Sequence, residues 1–259
     1  MNRAGFDQVA ASYDEVATSR LGRILRARVH DRLEPHMRTG ARVLDIGCGT
    51  GIDAAWMHER GATVTAIDAS QEMVHATQAR LGDGATVAVR DLNDATWATD
   101  LGGPFDLALS NFGVLNCVDD LPRFASDLAA LLHPGATLIA VPMTRFAPWE
   151  LAFAARARDT DTLRRRFRTG AVTSPEYPGV RTTYWTPRAF SRAFEPWFER
   201  RAVAALGALL PTYEHRDLIE RRRRLGRMLA TADRAVASLA GPSVGGDHIV
   251  VEMTRTARP

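Results

Sequence analysis

The chain has 259 residues, of which 46% are hydrophobic and 24% charged, a composition typical of a globular protein with one sizeable core. It contains no run of about 20 apolar residues, which a membrane span requires, and its first residues lack the apolar core of a signal peptide, so we expect no membrane partner and a cytoplasmic location. The formal net charge of +3 is weak support for a polyanionic partner. Cys48 and Cys117 have no Cys or His nearby at metal-ligand spacing, so the sequence indicates neither a disulfide framework nor a metal site.

The first element along the chain is a long helical pattern over residues 9–37. Its apolar residues recur at helical spacing: Val16, Leu21, Ile24, Leu25, Val29 and Leu33. We expect residues 1–40 to form a helical lid that lies on a sheet or over a cleft.

Residues 41–142 alternate strand-like apolar runs with helical patterns. The predicted strands are 42–46, 63–67, 86–89, 105–109 and 137–141, and the predicted helices are 52–60, 70–81 and 119–132. This alternation predicts an α/β fold in which helices cover both faces of a parallel sheet. Gly61, Gly82, Gly84 and the pair Pro134-Gly135 stand where these helices should stop.

The alternation is lost over residues 143–185, which are predicted to form a cap insertion. Its aromatic residues Trp149, Phe153 and Phe167 could be walls of an acceptor pocket or the core of the cap, and we favour the core. At the start of residues 186–259, Thr186 and Pro187 are the residue types preferred at a helix N-cap and at the first helical position. A strand at 197–205, a helical excursion at 212–240 and a last strand at 248–253 complete a single domain of residues 1–259.

Arginine supplies all 33 basic residues, and two clusters stand out: Arg164–Arg168, and Arg221–Arg224 with Arg227. Around the second cluster, apolar residues recur at helical spacing: Leu218, Leu225, Met228, Leu229, Ala232, Val236 and Leu239. These arginines therefore fall on the solvent-facing side of an amphipathic helix, which we favour over a nucleic-acid contact.

The stretch Val43–Gly51 reads VLDIGCGTG and follows the first predicted strand, beyond whose carboxyl end the ligand crevice of a parallel sheet lies. Its glycines have the spacing G-x-G-x-G, and Ile52 takes the place of the third glycine of a dinucleotide site, G-x-G-x-x-G. Asp45 also disfavours a phosphate, because a carboxylate about 5 Å from a phosphate oxygen costs on the order of 3 kcal/mol per charge at an effective dielectric near 20. The loop therefore favours a cationic nucleoside without phosphate, such as S-adenosylmethionine.

Two further carboxylates follow the next two strands. Asp68 ends the second strand, where it can accept both ribose hydroxyls, and Asp91 follows the third, where it can accept a hydrogen bond from an adenine amine. Each acid alone has another interpretation, since Asp45 or Asp68 could cap the following helix and Asp91 could pair with Arg90. Three carboxylates at consecutive strand ends together indicate a nucleoside cofactor.

Several motifs, VLDIGCGTG, AIDASQEM, VRDL, FDLALSNFGVLNCVDD and LLHPGATLIAVP, with Phe6-Asp7 and Tyr13-Asp14, resemble class I S-adenosylmethionine-dependent methyltransferases of the broad small-molecule group. The resemblance covers residues 6–142. It implies a Rossmann-like, seven-stranded, mostly parallel sheet whose last strand is antiparallel, and an enzyme with S-adenosylmethionine as cofactor. It implies a cofactor site of Asp45, Gly47, Cys48, Gly49, Gly51, Asp68, Ala69, Met73, Asp91, Leu92, Ser110 and Asn111, with Tyr13 lying over the reactive methyl.

The acceptor side carries weaker signals. The Asn-Pro-Pro-aromatic signature of adenine and glutamine N-methyltransferases is absent, because Ser110–Gly113 read SNFG. His215 is the candidate catalytic base, since histidine titrates near neutrality, although an exposed helix position is its other interpretation. His248 is expected to anchor the last strand, and His133 to be an exposed turn residue. The candidate acceptor-contacting residues are Phe112, Tyr177, Tyr184, Trp185 and Tyr213.

An aromatic cap without a long basic tail favours a small apolar or aromatic acceptor, methylated on oxygen, nitrogen or carbon. A second hypothesis is a tRNA or rRNA methyltransferase that binds RNA through the arginine clusters. A third is a cofactor-binding protein that does no chemistry, because a nucleoside pocket shows binding and not turnover. An NAD-dependent dehydrogenase is the least favoured, and the chain is expected to be a monomer or homodimer.

Overall fold

The computed structural model describes residues 4–7, 10–168, 170–173, 179–239 and 246–257. Its helices are α1 (Ala4–Asp7), α2 (Ala10–Ala17), α3 (Arg20–Leu33), α4 (Ile52–His58), α5 (Gln71–Leu81), α6 (Leu121–Leu131), α7 (Pro148–Ala157), α8 (Thr160–Phe167), α9 (Pro187–Ala193), α10 (Asp217–Glu220) and α11 (Arg223–Leu239). Its strands are β1 (Arg42–Ile46), β2 (Thr63–Asp68), β3 (Ala85–Val89), β4 (Phe105–Ser110), β5 (Leu132–Ala140), β6 (Val172–Thr173), β7 (Arg181–Thr182), β8 (Phe198–Leu206) and β9 (His248–Arg255).

Seven of these strands form one sheet in the order β3-β2-β1-β4-β5-β9-β8, while β6 and β7 form a separate ribbon. β9 runs antiparallel to both β5 and β8, and the other six strands are parallel to one another, which confirms the predicted sheet. Because β9 is reversed, its first residue, His248, lies at the edge where β4 and β5 end, and it forms a bridge with Met143 just after β5. This edge carries the candidate site.

The core has two layers because alternate residues of a strand point to opposite faces of the sheet. Leu44 and Ile46 of β1 are buried in one layer together with Phe124 of α6. Val43 is buried in the opposite layer together with Val29 of α3. Both faces of the sheet are therefore covered, as predicted, and the strand ends remain for ligand binding.

The N-terminal helical pattern is broken into two helices where one was predicted. The Ser19 side chain accepts a hydrogen bond from the Gly22 amide, so Ser19 caps the start of α3 and ends the run of α2. The two helices pack tightly at this corner, because a Cβ on Gly22 would lie 2.4 Å from the carbonyl oxygen of Ala17. The capping serine and the small residue explain why apolar periodicity alone predicted one continuous helix.

The Pro134-Gly135 pair follows the end of α6, where a helix stop was predicted, but it lies inside β5 and not in a turn ahead of this strand, which the resemblance implies. Phe105 of β4 pairs with Leu132, and the register shifts before Leu107 pairs with Thr137. The intervening segment bulges away from β4 and accommodates a proline, which has no amide hydrogen for the ladder. His133 is exposed, as expected, but belongs to this strand.

The arginines of Arg221–Arg224 are exposed, as predicted, but the buried face of α11 differs from the predicted apolar face. Met228 was placed on that face and is 68% exposed, whereas Asp233 is fully buried. Asp233 pairs with Arg28 of α3 and accepts a hydrogen bond from the Leu209 amide at 2.8 Å. A buried ion pair with a distant helix, which periodicity cannot reveal, therefore sets the orientation of α11.

The cap contains α7, α8 and the β6-β7 ribbon, and its internal contacts use the first arginine cluster. Arg166 is buried, pairs with Glu150 of α7, and contacts Asp247 at 2.6 Å just before β9. Phe167 is 56% exposed, so its assignment to an aromatic cap core is wrong. None of the helices within the described ranges is long and apolar enough to cross a bilayer.

Candidate functional site

The backbone amides of the glycine-rich loop between β1 and α4 donate hydrogen bonds to other groups of the protein. Gly47 and Cys48 donate to the carbonyl oxygen of Ile67 at 2.8 and 2.9 Å, Gly51 donates to Cys48 at 3.0 Å, and Gly49 donates to Asp68 Oδ2 at 3.0 Å. A phosphate-binding loop instead directs such amides at its ligand. The amides of Gly47, Cys48, Gly49 and Gly51 are therefore used within the protein and are not directed at a ligand.

Gly47 shows why this loop needs glycine. Its φ of +73° is in the left-handed region, and a Cβ there would lie 2.3 Å from Cγ2 of Val114. Any larger residue would displace the loop or the turn after β4. The Cys48 thiol is buried beside the Thr77 hydroxyl at 3.4 Å, and burial raises its pKa well above the usual range, so it packs as an uncharged side chain.

Asp45 is a buried carboxylate at the carboxyl end of β1, with only 1% of its surface exposed. Its Oδ2 has no hydrogen-bond partner among the described residues. Burial raises its pKa well above the ordinary value, and the nearby carboxylates of Asp53 and Asp68 raise it further, whereas Arg26 lowers it. A carboxylate in this setting is stabilised by a bound cation.

Asp68 lies at the end of β2, half-buried at the same edge of the sheet. Its Oδ2 accepts from Gly49 and its Oδ1 accepts from Ser70 at 2.9 Å, so it holds the glycine loop and the start of α5 together. Burial raises its pKa, although the backbone hydrogen bonds oppose this shift. Helix capping, its alternative interpretation, is carried by Ser70, whose hydroxyl accepts from the Met73 amide at 3.2 Å.

The predicted adenine-side residues line the next stretch of this edge. Ala69 and Met73 are buried at the start of α5, and Asp91 and Leu92 are buried after β3. Asp91 Oδ1 accepts from the Asn93 amide at 3.0 Å. Arg90 donates to its neighbour's carbonyl oxygen, Val89 O, at 2.9 Å.

The segment after β4 contributes two buried polar side chains and a strained aromatic residue. Ser110 Oγ is buried and lacks a partner within the described ranges. The Asn111 amide nitrogen donates to Asp53 Oδ2 at 2.9 Å, and its oxygen accepts from the Phe112 amide at 3.0 Å. Phe112 has a φ of +49°, a conformation that bulky residues adopt only where the surroundings impose it, and such strain concentrates at functional sites.

A buried polar cluster around Asp53 escaped the sequence analysis. Asp53 is the second residue of α4, and its carboxylate contacts Arg26 and His30 of α3 as well as Asn111. The His30 ring stacks on Trp56 with centroids 4.1 Å apart. The only sequence signals were an acid in the first turn of a helix and two basic residues four positions apart, which share a helix face.

Tyr13 and its helix α2 cover the glycine loop. A Cβ on Gly49 would lie 3.4 Å from Cε1 of Tyr13, so the ring rests directly on the loop. Burial raises the pKa of Tyr13, which keeps its hydroxyl protonated. The adjacent Asp14 accepts a hydrogen bond from the Thr50 hydroxyl and pairs with Arg80 of α5 at 2.6 Å, which fastens α2 to the loop.

Two of the predicted acceptor residues meet beside this pocket. Phe112 and Tyr213 are edge-to-face with centroids 6.4 Å apart, and the ring of His248 is edge-on to Phe112 at 5.6 Å. Burial raises the pKa of Tyr213 well above its usual value. A pocket that opens beside these rings is lined by Tyr13, Arg26, Gly47, Cys48, Thr50, Ile52, Asp53, Asn111 and Phe112.

The remaining predicted residues lie elsewhere. His215 stacks on Phe153 of α7, with centroids 3.9 Å apart and planes 4° apart. Tyr184 lies beneath the Arg166 guanidinium, 4.7 Å away, within the cap. Trp185 packs against Phe190 of α9 in the core layer, and Tyr177 lies outside the described residues.

Comparisons with known proteins agree with this architecture. A family model described as a methyltransferase domain matches residues 18–233. The ubiquinone biosynthesis O-methyltransferase of Xanthomonas axonopodis pv. citri (strain 306) is 37% identical over 118 residues, which cover 45% of this chain and 48% of that protein. The demethylmenaquinone methyltransferase of Beutenbergia cavernae is 32% identical over 153 residues, 57% of this chain and 61% of the relative. The chain thus spans about half the length of the curated relatives that it matches.

Among solved structures, the N-methyltransferase NodS of Bradyrhizobium japonicum WM9, in complex with S-adenosyl-L-homocysteine, superposes with a TM-score of 0.61. The superposition covers 99% of this chain and 98% of that chain at 11% sequence identity. At this identity the likeness shows a shared fold.

Proposed function

The chain belongs to the methyltransferase-domain family, within the class I S-adenosylmethionine-dependent enzymes, and we propose that it transfers a methyl group from S-adenosylmethionine to a small aromatic acceptor. The observation that carries the proposal is a buried carboxyl group and a buried guanidinium, each with an unused polar atom. Asp45 Oδ2 and Arg26 Nε both lack hydrogen-bond partners among the residues described, and the two charges are close enough to affect the pKa of Asp45. Such a pair suits the ammonium and carboxylate of a methionyl group.

The other residues of the strand edge fit the rest of this cofactor. We assign the ribose hydroxyls to Asp68, and the adenine to the buried surface of Ala69, Met73 and Leu92 with Asp91 at its edge. Gly47, Cys48, Gly49 and Gly51 shape the loop against which the cofactor lies. The internal use of the loop amides supports a ligand without phosphate.

The chemistry needs mainly positioning. When bound, S-adenosylmethionine supplies a methyl group on a positively charged sulfur, which a nucleophile displaces in line. Tyr13 and α2 cover the loop and exclude water. We assign Ser110 and Asn111, just after β4, to the side of the methionine moiety and the incoming nucleophile.

The acceptor is assigned to the aromatic side of the pocket, beside Phe112 and Tyr213. Phe112, Tyr213 and His248 offer ring edges and faces against which a flat aromatic molecule can stack. The printed names of the curated relatives, a ubiquinone biosynthesis O-methyltransferase and a demethylmenaquinone methyltransferase, support an aromatic or quinone-like acceptor. The nucleophile is an oxygen, a nitrogen or a carbon atom of the acceptor. His215, the candidate base of the sequence analysis, stacks on Phe153 and is not among the residues that line the pocket, so the proposal assigns it no contact with the acceptor.

The test has two stages. Calorimetry with S-adenosylhomocysteine should give one site per chain, and Asp45→Asn, which removes the charge but keeps the shape, should weaken that binding. Labelled methyl from S-adenosylmethionine should then pass to members of a panel of phenols, hydroquinones and amines. Absence of cofactor binding, or transfer to total RNA without transfer to the panel, would contradict the proposal.

A further inference from the structure

Asp53 is the most densely paired acid of the site, although it is only 5% exposed. Burial alone would raise its pKa, but Arg26 and His30 outweigh burial and hold the pKa of Asp53 well below its usual range. The Asp53 carboxylate is therefore ionised, and a buried ionised group persists only where its partners compensate the lost hydration. The contribution of Asp53 to the site must therefore be sought in the residues that it pairs with.

The partners of Asp53 come from two separate parts of the fold. Arg26 and His30 stand four residues apart on α3, so they share the face of the helix that meets α4. His30 Nε2 lies 2.7 Å from Oδ1, and Asn111, just after β4, donates to Oδ2 at 2.9 Å. Asp53 thus joins the helical lid to the strand edge at a single carboxylate.

Arg26 is the partner of Asp53 that still has an unpaired hydrogen-bond donor among the described residues. One terminal nitrogen, Nη1, is used by Asp53, and the guanidinium lies over the Phe112 ring at 5.0 Å. The Tyr13 hydroxyl also interacts with it, whereas its buried Nε has no partner within the described part of the chain. A guanidinium fixed at one corner and on one face presents its remaining N–H groups in fixed directions.

We propose that Asp53 is a positioning residue for the amino-acid end of the cofactor: it holds Arg26 so that the guanidinium binds the methionyl carboxylate. This inference rests on the proposed function. The proposal gives Asp53 a role through Arg26 and not through the cofactor, since its Oδ2 accepts from Arg26 and Asn111 and its Oδ1 faces His30. His30 steadies the carboxylate from the other side, and Trp56 fixes the ring of His30 by stacking.

A comparison of two ligands separates positioning from general structural support. S-adenosylhomocysteine carries the amino acid group, whereas 5′-methylthioadenosine has the same adenosine and sulfur but lacks it. Asp53→Asn should weaken S-adenosylhomocysteine binding by about 10- to 100-fold, as expected for a lost charge-assisted interaction, and should change 5′-methylthioadenosine binding less than about threefold. Calorimetry measures both affinities.

A second variant guards against a folding defect in the first. Arg26→Gln should give the same ligand-selective loss, and the double variant Asp53→Asn/Arg26→Gln should bind S-adenosylhomocysteine no more weakly than Arg26→Gln alone, because the two residues act as one unit. Asp106→Asn is the matched control, since Asp106 pairs with Arg38 at the opposite edge of the sheet, and it should leave both affinities unchanged.

The outcomes are distinct. Equal loss of both ligands in Asp53→Asn would mean that Asp53 only stabilises the fold, and unchanged binding of both, or additive losses in the double variant, would also overturn the inference. If the unaltered protein bound neither 5′-methylthioadenosine nor S-adenosylhomocysteine measurably, the proposed function would fail together with the inference. Affinity losses that are selective for S-adenosylhomocysteine and not additive in the double variant would support the inference.

Discussion

Replacement of Asp68 by alanine tests the cofactor site most directly. In the structure each carboxylate oxygen accepts one backbone hydrogen bond, from Gly49 at 3.0 Å and from Ser70 at 2.9 Å, and each can accept a further one from a ribose hydroxyl. Loss of charge-assisted hydrogen bonds to the ribose should cost about 1.5–3 kcal/mol of binding free energy, or roughly 10- to 150-fold in affinity for S-adenosylhomocysteine.

Asp68→Ala should also change the free energy of unfolding, through two effects of opposite sign. Two amides lose their acceptor, at about 1–3 kcal/mol for each one left without a partner. Burial raises the pKa of Asp68, however, so its ionised form is unfavourable in the folded protein at neutral pH, and its removal relieves part of that cost. We expect a net loss of about 1–2 kcal/mol in the free energy of unfolding, measured by urea denaturation.

The affinity measurement needs a control for loop distortion. Adenosine should bind Asp68→Ala more weakly than the unaltered protein, whereas 2′,3′-dideoxyadenosine, which lacks both hydroxyls, should bind the two proteins alike. Asp83→Ala, at an exposed carboxylate after α5, should change neither affinity. Equal S-adenosylhomocysteine affinity with and without Asp68, or an equal loss for the dideoxy compound, would refute the ribose assignment.

Three further predictions concern the loop, the cap and the arginines. Gly47→Ala and Gly135→Ala both place a side chain at positive φ, but only the first meets a neighbouring atom, at 2.3 Å, so it should lose about 1–3 kcal/mol more stability in urea; equal losses would exclude the steric contact. Burial opposes ionisation of Asp247, yet its cationic neighbours hold its pKa low, so its stabilisation is complete above the unfolded pKa of about 4 and is lost as the pH falls below it. Asp247→Asn should flatten the loss of stability between about pH 5 and pH 2, and an unchanged slope would contradict this. Neutralisation of Arg221–Arg224 to glutamine should leave methyl transfer to small acceptors unchanged, whereas loss of salt-dependent RNA binding with loss of activity would favour the RNA hypothesis.

The sequence predicted the sheet because its signals are local. VLDIGCGTG and the acids Asp68 and Asp91 lie directly after strands, and in parallel strands every carboxyl end reaches the same edge, so the strand assignments alone brought these residues together. The start of α9 was also predicted from Thr186 and Pro187, because capping is decided within one turn.

Features that depend on contacts between distant residues were missed. Asp53 is 27 residues from Arg26 and 58 from Asn111, and only the folded chain brings α3, the start of α4 and the end of β4 together. The predicted orientation of α11 was wrong for the same reason, since its buried Asp233 is paired with Arg28, 205 residues away. From the sequence, a charged residue is assigned to the solvent-exposed surface, because a buried partner becomes known only from the fold.

The fastening of α2 over the glycine loop has a consequence for catalytic turnover. Under the proposed function, S-adenosylhomocysteine must leave and S-adenosylmethionine must enter beside the glycine loop, which this helix covers. The tie between Asp14 and Arg80 is partly solvated, with 44% and 36% of the side chains accessible, and an ion pair in that setting contributes about 0–1 kcal/mol and weakens with salt. Because this ion pair is weak, breaking it adds little to the cost of moving α2. Under the proposed function, turnover should therefore become faster as ionic strength rises whenever donor exchange is the slowest step.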